Sequence, residues 1–543
     1  MELGRFTNKG WCTMGITNYT RAVNTKNTPQ TQPIPGSNQV ANSAGGFSFD
    51  VGIWQRLERF LILGSEGGSY YATERKLTLD NADSVVQCIK EDGVRVVDTV
   101  AQISEEARAP KNDAAIFVLA LCMKQGDADT KKAAEILFNK IVRIGTHLFQ
   151  AATALDALGG WGRSTKRVLT NWYASKNIDQ LAYQLVKYQS RESWSHRDLL
   201  RKLHIKPNNQ KFGNLFKWAV NKEVDKSTLP EIVQAHEMAK VAKDADEIVM
   251  LIEKHNLPRE CIPTEFLNSV KVWRALLMSN EGMPMTAMVR NLAKMTAVGL
   301  LTATSDETRF ICKRLLDADM IKMSKIHPMQ ILMALSTYSS GHGLKGSLSW
   351  NPVKKIVSAL NDAFYLSFKN VTPTGKRIMI ALDVSGSMHG GTVAGSFLTP
   401  AQVAVAMALV TMNVEQDVSV YGFGGTFQEL PFTKRDTLES AVAKIANMNF
   451  GTTDCSLPME FSIRNKAKFD AFFVYTDNET YAGARHPSQA LVDYRQKSGI
   501  PAKLVVVGMV TNGFTIADPK DGGMLDVVGF DTAAPALMAD FIR

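Results

Sequence analysis

RIMIALDVSGSMHGG, residues 377–391, decides how the last third of this 543-residue chain is read. A continuous apolar run, Ile378 to Leu382, ends at Asp383, where an Asp-x-Ser-x-Ser pattern begins. An uninterrupted apolar run is the mark of a strand buried on both faces. Asp383 brings a carboxylate, and Ser385 and Ser387 bring hydroxyls on a loop whose alternate residues face the same way. Gly386 lets that loop turn tightly. Hard oxygen donors at a strand end suit a small divalent cation, Mg²⁺ or its near substitute Mn²⁺.

Outward from this stretch the texture is consistent. DVSVYGF (417–423), DAFFVYTD (470–477), AKLVVVG (502–508) and LDVVGF (525–530) are further strand-like runs. Helical segments AQVAVAMALVTMNV, TLESAVAKIANM and PSQALVDYRQK lie between them. The alternation predicts a doubly wound parallel sheet, Rossmann-like in class. In such sheets ligands sit beyond the carboxyl ends of the strands, and both Asp383 and Asp477 fall there. A second loop, FGTTDCSLP (450–458), offers Thr452 or Thr453 as a further donor. Asp454 and Glu479 read as rim groups. No nucleophile is paired with a base, so no enzyme is expected.

Residues from about 50 to 365 read as helix after helix, with short Pro, Gly, Asn or Ser turns and no extended β pattern. EIVQAHEMAKVAKDADEIVMLIEKHN (231–256) carries the three- and four-residue apolar spacing of an amphipathic helix. Many helices on short connections predict stacked hairpins of the HEAT type. The first 48 residues, rich in Thr, Asn, Gln, Pro and Gly, lack the apolar area for a core and read as a flexible or surface-lying arm. Six scattered cysteines without a C-x-x-C pair fit a reducing cytosol. No uninterrupted apolar run reaches the roughly 18 residues a membrane span requires.

Charge is unevenly spread. Lys and Arg number 62 against 53 Asp and Glu over the whole chain. From Lys376 onward the balance is 14 against 17, which leaves 48 against 36, or +12, for the residues before it. The densest stretch, 161–218, has 12 Lys and Arg against 3 acids, with Trp161, Trp172, Tyr173, Tyr188 and Trp194 interleaved. Ser195 followed by Asp198 reads as a capped helix start. That helix would bury Leu199, Leu200 and Leu203 and project Arg197, Arg201 and Lys202, with His196 at its start. Arg163 and Arg167 stand four apart, on one face of a helix. A helix start among cations suits phosphate, and RNA is preferred over DNA because no helix-turn-helix or zinc-finger signature occurs.

The three loops resemble the metal-ion-dependent adhesion site of von Willebrand factor A domains. That pattern runs Asp-x-Ser-x-Ser, Thr, Asp in chain order. The resemblance implies Asp383, Ser385, Ser387, Thr453 and Asp477 as ligands, with Thr453 chosen because it follows two small residues. It also implies a docking site for an acidic group of a protein partner.

A wider resemblance rests on NSAGGF, RLERFLILGSEGGSYY (56–71), WGR (161–163), KYQSRESWSHRDLLRKLHIKP, RNLAKMTA (290–297), IHPMQILMAL, GHGLKG (341–346), DVSGSM, TDCSLPM (453–459), TDNETYAGARHP (476–487) and PAKLVVVGMVTNGFTIADP (501–519). In this order they resemble the Ro autoantigen family, a TROVE module followed by an A domain. The resemblance implies an α-helical HEAT-like repeat ring plus an α/β von Willebrand factor A domain. The expected division is an arm over 1–48, the RNA-binding ring over 49–370 and the A domain over 371–543. It implies a monomeric, cytoplasmic, RNA quality-control scaffold. Small non-coding Y RNAs would lie on an outer basic surface, and single-stranded 3′ ends of misfolded RNAs would enter the ring hole. Arg163, Lys166, Arg167, His196, Arg197, Arg201 and Lys202 are implied as RNA-binding residues. In a bacterial host, polynucleotide phosphorylase is an implied partner, tethered through the Y RNA. The first 40 residues match no family pattern, and the residues around Lys166 and Arg167 stand in a different order. The competing reading is a metal-dependent protein-adhesion scaffold without RNA.

Overall fold

The computed structural model describes residues 27–543 apart from 65–73, 280–281, 344–346, 369–371, 394–397 and 446–450. Helices fill the first two thirds. They begin with α1 (Ile53–Leu63), α2 (Glu74–Glu105), α3 (Asp113–Gln125) and α4 (Ala128–Ile141). Next come α5 (Gly145–Ala157), α6 (Arg163–Ala174), α7 (Ile178–Lys187) and α8 (His196–Leu203), and the series runs on to Lys354–Leu366. Each packs on near neighbours in sequence: α1 on α2, α2 on α3 and α4, α3 on α5, α6 on α8. α3 is apolar nearly all round because it is enclosed by α2, α4 and α5. Cys122 lies within it, and burial pushes its thiol up to about 12. The five described cysteines are free.

The helical array returns to its beginning. Lys325 Nζ donates to the Glu105 carbonyl (2.6 Å), His327 Nε2 to that of Arg108 (3.0 Å) and Gln330 Nε2 to that of Pro110 (3.1 Å). His327 Nδ1 accepts from the Met329 amide (3.1 Å), which fixes the neutral tautomer. Burial agrees, holding this imidazole down at about 4. The segment that receives the late helices also meets the second domain, through Arg108 and Asp531.

The strands are β1 (Gln39–Ala41), β2 (Phe47–Asp50), β3 (Ser190–Arg191), β4 (Trp194–Ser195), β5 (Ile378–Asp383) and β6 (Val418–Phe423). They continue with β7 (Phe427–Glu429), β8 (Ala471–Thr476), β9 (Lys503–Gly508), β10 (Phe514–Thr515) and β11 (Met524–Val528). The main sheet has the order β11-β9-β8-β5-β6-β7, parallel throughout except for the edge strand β7. Ile378, Ile380 and Leu382 face one core, shared with the helix Pro400–Val414 and the helical array. Met379 and Ala381 face a second core with Phe472, Val474, Leu504 and Val506. Two filled faces explain the unbroken apolar runs. Among the described residues no helix is long and apolar enough to cross a membrane.

Two expectations change. The pattern over 231–256 is two helices, Glu231–Ala239 and Ala245–His255, because Asp244 caps the second by accepting from the amides of Asp246 and Glu247. Of the arm expected over 1–48, residues 27–48 are described, and they are built into the second domain. β1 pairs with β2, and β2 pairs with β10, Thr515 opposite Phe49. Residues 1–26 lie outside the described residues.

The two halves are joined by a buried ion pair. Arg59 of α1 is 0% exposed, and one terminal nitrogen sits 2.7 Å from both carboxylate oxygens of Asp526 in β11. Its other terminal nitrogen donates to the Asn512 carbonyl (2.8 Å) and side-chain oxygen (2.9 Å). A buried guanidinium is tolerable only with such partners.

Candidate metal centre and nucleic-acid interface

β5 and β8 are parallel neighbours, with Leu382 opposite Tyr475, so Asp383 and Asp477 leave the same edge of the sheet. Asp383, Ser385, Ser387, Thr453 and Asp477 are all buried. Asp383 Oδ1 accepts from the Ser385 amide (3.0 Å), and Oδ2 accepts from Thr476 Oγ1 (2.7 Å). Ser385 and Ser387 hydroxyls stand 2.9 Å apart. Thr453 Oγ1 and Asp477 Oδ2 are buried with no hydrogen-bond partner among the described residues. Thr452, the other candidate, is exposed.

Orphaned buried oxygens are rare in folded proteins because each forfeits its hydration. Asp383 lies near enough to Asp477 to feel its charge, and the Ser385 and Ser387 hydroxyls face each other. That donor set fits a small divalent cation, which would compensate both acids at once. Without such compensation, burial raises Asp383 and Asp477, and the charge of Asp477 raises Asp383 further. Glu479 is pushed up to about 8, chiefly by burial and then by Asp477. Sequence reasoning missed Thr476 and Asn512. Thr476 hydrogen-bonds Asp383, and the side-chain amide of Asn512 donates to the Asp477 carbonyl. Asn512 also holds Arg59, so the helical array reaches the metal loops through one residue.

The basic face is built by α6 and α8. Ser195 caps α8: its hydroxyl accepts from the Asp198 amide (3.2 Å), and the Asp198 carboxylate accepts from the Ser195 amide (3.0 Å). Leu199, Leu200 and Leu203 are buried, and Arg197, Arg201 and Lys202 are exposed. Arg163 and Lys166 of α6 are exposed as well. Trp161 and Trp194 precede the two helices and pack with ring centroids 5.3 Å apart. Lys202 Nζ lies over both rings, 4.2 Å and 5.2 Å from their centroids. The pair therefore joins the starts of α6 and α8 into one surface.

Two candidates sit differently. Arg167 is exposed but engaged, its nitrogens 3.1 Å and 2.6 Å from one oxygen of Glu135. His196 is corrected from surface contact to interior brace. It is 4% exposed, and Tyr173 Oη lies 2.8 Å from its Nδ1. Phe149 packs on it at 4.8 Å between centroids. Burial drives its imidazole down to about 3, so it carries no charge for a phosphate at neutral pH. The residue also lines a groove of about 640 Å³ together with Arg197, Trp218, Lys222 and Lys226.

Comparison with known proteins agrees with both halves. A TROVE domain model matches residues 40–337, and a Ro60 vWA domain model matches residues 377–542. A Deinococcus radiodurans protein named RNA-binding protein RO60 is 40% identical, covering 97% of this chain and 99% of its own length. A Caenorhabditis elegans protein of the same name is 38% identical, covering 95% of this chain and 92% of its own length. The crystal structure of the Deinococcus radiodurans RO (RSR) protein superposes with a TM-score of 0.67, covering 90% of this chain and 99% of that one, at 40% identity.

Proposed function

The chain belongs to the Ro60 family, and on that footing we propose that it is an RNA-binding scaffold of a Ro ribonucleoprotein. The observation that carries this reading is the contact of α6 with α8, which present exposed Arg163 and Lys166 and exposed Arg197, Arg201 and Lys202, with Lys202 over a tryptophan pair. Guanidinium and ammonium groups bind phosphate oxygens, and aromatic rings stack unpaired bases. A small structured Y RNA is the ligand proposed for this surface. Single-stranded 3′ ends of misfolded RNAs are proposed for the interior of the closed helical array. His196 acts by holding α8 to α6, and Arg167 acts within its pair with Glu135.

The second domain is proposed to dock a protein rather than to catalyse. Asp383, Ser385, Ser387, Thr453 and Asp477 would hold a divalent cation, Mg²⁺ or Mn²⁺, which supplies a coordination position for a partner's carboxylate. The five donors are two carboxylates and three hydroxyls, hard oxygens of the kind such an ion would take together with a partner's carboxylate. In a bacterial host the RNA would tether a 3′ exonuclease such as polynucleotide phosphorylase. The protein acts as a cytoplasmic monomer.

The test is sequencing of RNA that co-purifies with the protein from its own host, beside an Arg197→Glu/Arg201→Glu/Lys202→Glu variant. One dominant small structured RNA, lost in the variant, is the expected result. No enriched RNA in either sample overturns the RNA reading and leaves metal-dependent adhesion as the function.

A further inference from the structure

Gln30 lies in a stretch whose composition promises no buried contact, yet it is 0% exposed. A buried primary amide has two donor hydrogens and two acceptor lone pairs to satisfy. Gln30 satisfies all four on the metal loops. Its Nε2 donates to Asp454 Oδ1 (2.8 Å) and the Arg485 carbonyl (2.9 Å). Its Oε1 accepts from Thr480 Oγ1 (2.5 Å) and the Gly483 amide (3.1 Å). Asp454 directly follows Thr453, and its Oδ1 also accepts from the Ser456 amide (2.9 Å). Thr480 Oγ1 accepts from the Cys455 amide (3.1 Å). One side chain thus ties the loop of Thr453 to the loop of Asp477.

The rest of the segment grips the same place. Asn42 Nδ2 donates to the Thr480 carbonyl (2.7 Å), Ser48 Oγ to that of Asn478 (3.2 Å), and the Ala44 amide to Glu479 Oε2 (3.0 Å). Gly46 comes so close that a Cβ there would stand 2.0 Å from the Thr480 carbonyl oxygen. Only glycine permits that approach. Anchors farther along hold the segment down: His486 Nε2 donates to the Gln32 carbonyl (2.8 Å), and Gln39 Nε2 lies 3.2 Å from His486 Nδ1.

We propose that residues 27–50 are a built-in clamp on the metal centre and that Gln30 is its positioning residue. The inference rests on the reading of Asp383, Ser385, Ser387, Thr453 and Asp477 as ligands of a divalent cation. The ligating oxygens come from three loops distant in sequence, so their spacing depends on what holds the loops to one another. Groups behind metal ligands set affinity by fixing the ligands' positions, commonly by 10- to 100-fold. Coupling is reciprocal: a clamp that tightens the cation is itself tightened by the cation.

The experiment measures Mn²⁺ affinity of the full chain and of Gln30→Leu by electron paramagnetic resonance. Leucine keeps the bulk and removes every polar atom. Hydrogen exchange of residues 27–50 is followed in the unaltered chain with and without Mn²⁺, so the test survives if the variant fails to fold. The expected result is at least about 10-fold weaker Mn²⁺ binding in Gln30→Leu, with RNA affinity unchanged. Slower exchange across 27–50 in the Mn²⁺-bound parent is expected with it. Equal Mn²⁺ affinity in both chains, with exchange indifferent to Mn²⁺, overturns the clamp and leaves the metal reading standing. A parent chain that binds no Mn²⁺ overturns the metal reading and the clamp together.

Discussion

On the α6–α8 face, Arg163, Lys166, Arg197, Arg201 and Lys202 stand exposed, whereas Asp383 and Asp477 are buried. The cations are held by local means: a capping box, three buried leucines and a tryptophan pair. They need no partner to be stable, and any polyanion of suitable shape can meet them. The carboxylates are held by strands and loops far apart in sequence, and Asp477 Oδ2 has no hydrogen-bond partner among the described residues. Exposed charge supports broad attraction that salt weakens; buried, unsatisfied charge supports binding of one small ion at fixed geometry. The two regions should therefore fail independently.

The largest expected effect is on RNA. Arg197→Glu/Arg201→Glu/Lys202→Glu would remove the three phosphate contacts proposed above and add repulsion. Affinity for a small structured RNA should fall more than about 100-fold, and the slope of log K against log salt should shrink by about three. All three residues are exposed, so the melting temperature should move little. Asp383→Asn is the mirror experiment. Mn²⁺ binding, followed by calorimetry, should be lost while RNA affinity stays within about two-fold.

A pH series sharpens the contrast. The folded-state carboxyls of Asp383, Asp477 and Glu479 are raised above their unfolded values, Glu479 to about 8. A raised acid favours the fold while protonated, and that contribution is lost as pH climbs through the folded value. Metal-free protein should lose thermal stability from the ordinary carboxylate range, about pH 4, up to about pH 8. Saturating Mn²⁺ should flatten the curve, and Mn²⁺ affinity should rise over the same interval because protons compete for the ligands. RNA affinity, proposed to rest on the exposed α6 and α8 cations, should not follow this curve.

Smaller effects separate brace from contact. His196→Ala should cost about 2–4 kcal/mol in urea unfolding, since it empties a packed aromatic site. Tyr173→Phe should cost about 1 kcal/mol and leave RNA binding intact. Arg167→Ala, already neutralised by Glu135, should change RNA affinity least of the cations.

Much of this was legible in the sequence wherever the cause is local. Strands buried on both faces announce themselves as apolar runs, and β5, β8 and β9 lie where those runs stand. The α8 capping box needs only Ser195 and Asp198. Thr452 and Thr453 are chemically identical neighbours, and burial alone separates them. His196 misled because a histidine at a helix start among cations looks solvent-facing. Its Tyr173 partner lies 23 residues away and Phe149, which packs on its ring, farther still. Arg167 finds Glu135 across 32 residues. Composition misjudged 27–48 because it counts apolar area, and this segment docks chiefly through amides on loops more than 400 residues distant.

The proposed hold on RNA is by exposed cations on α6 and α8. Its most direct test is a salt titration of binding to one small structured RNA, parent beside Arg197→Glu/Arg201→Glu/Lys202→Glu, with Asp383→Asn as control. The expected result is a steep log–log slope for the parent, the same slope for Asp383→Asn, and near loss of binding in the triple variant. Equal affinity and equal slope in the parent and the triple variant would contradict the claim and move the RNA to another surface.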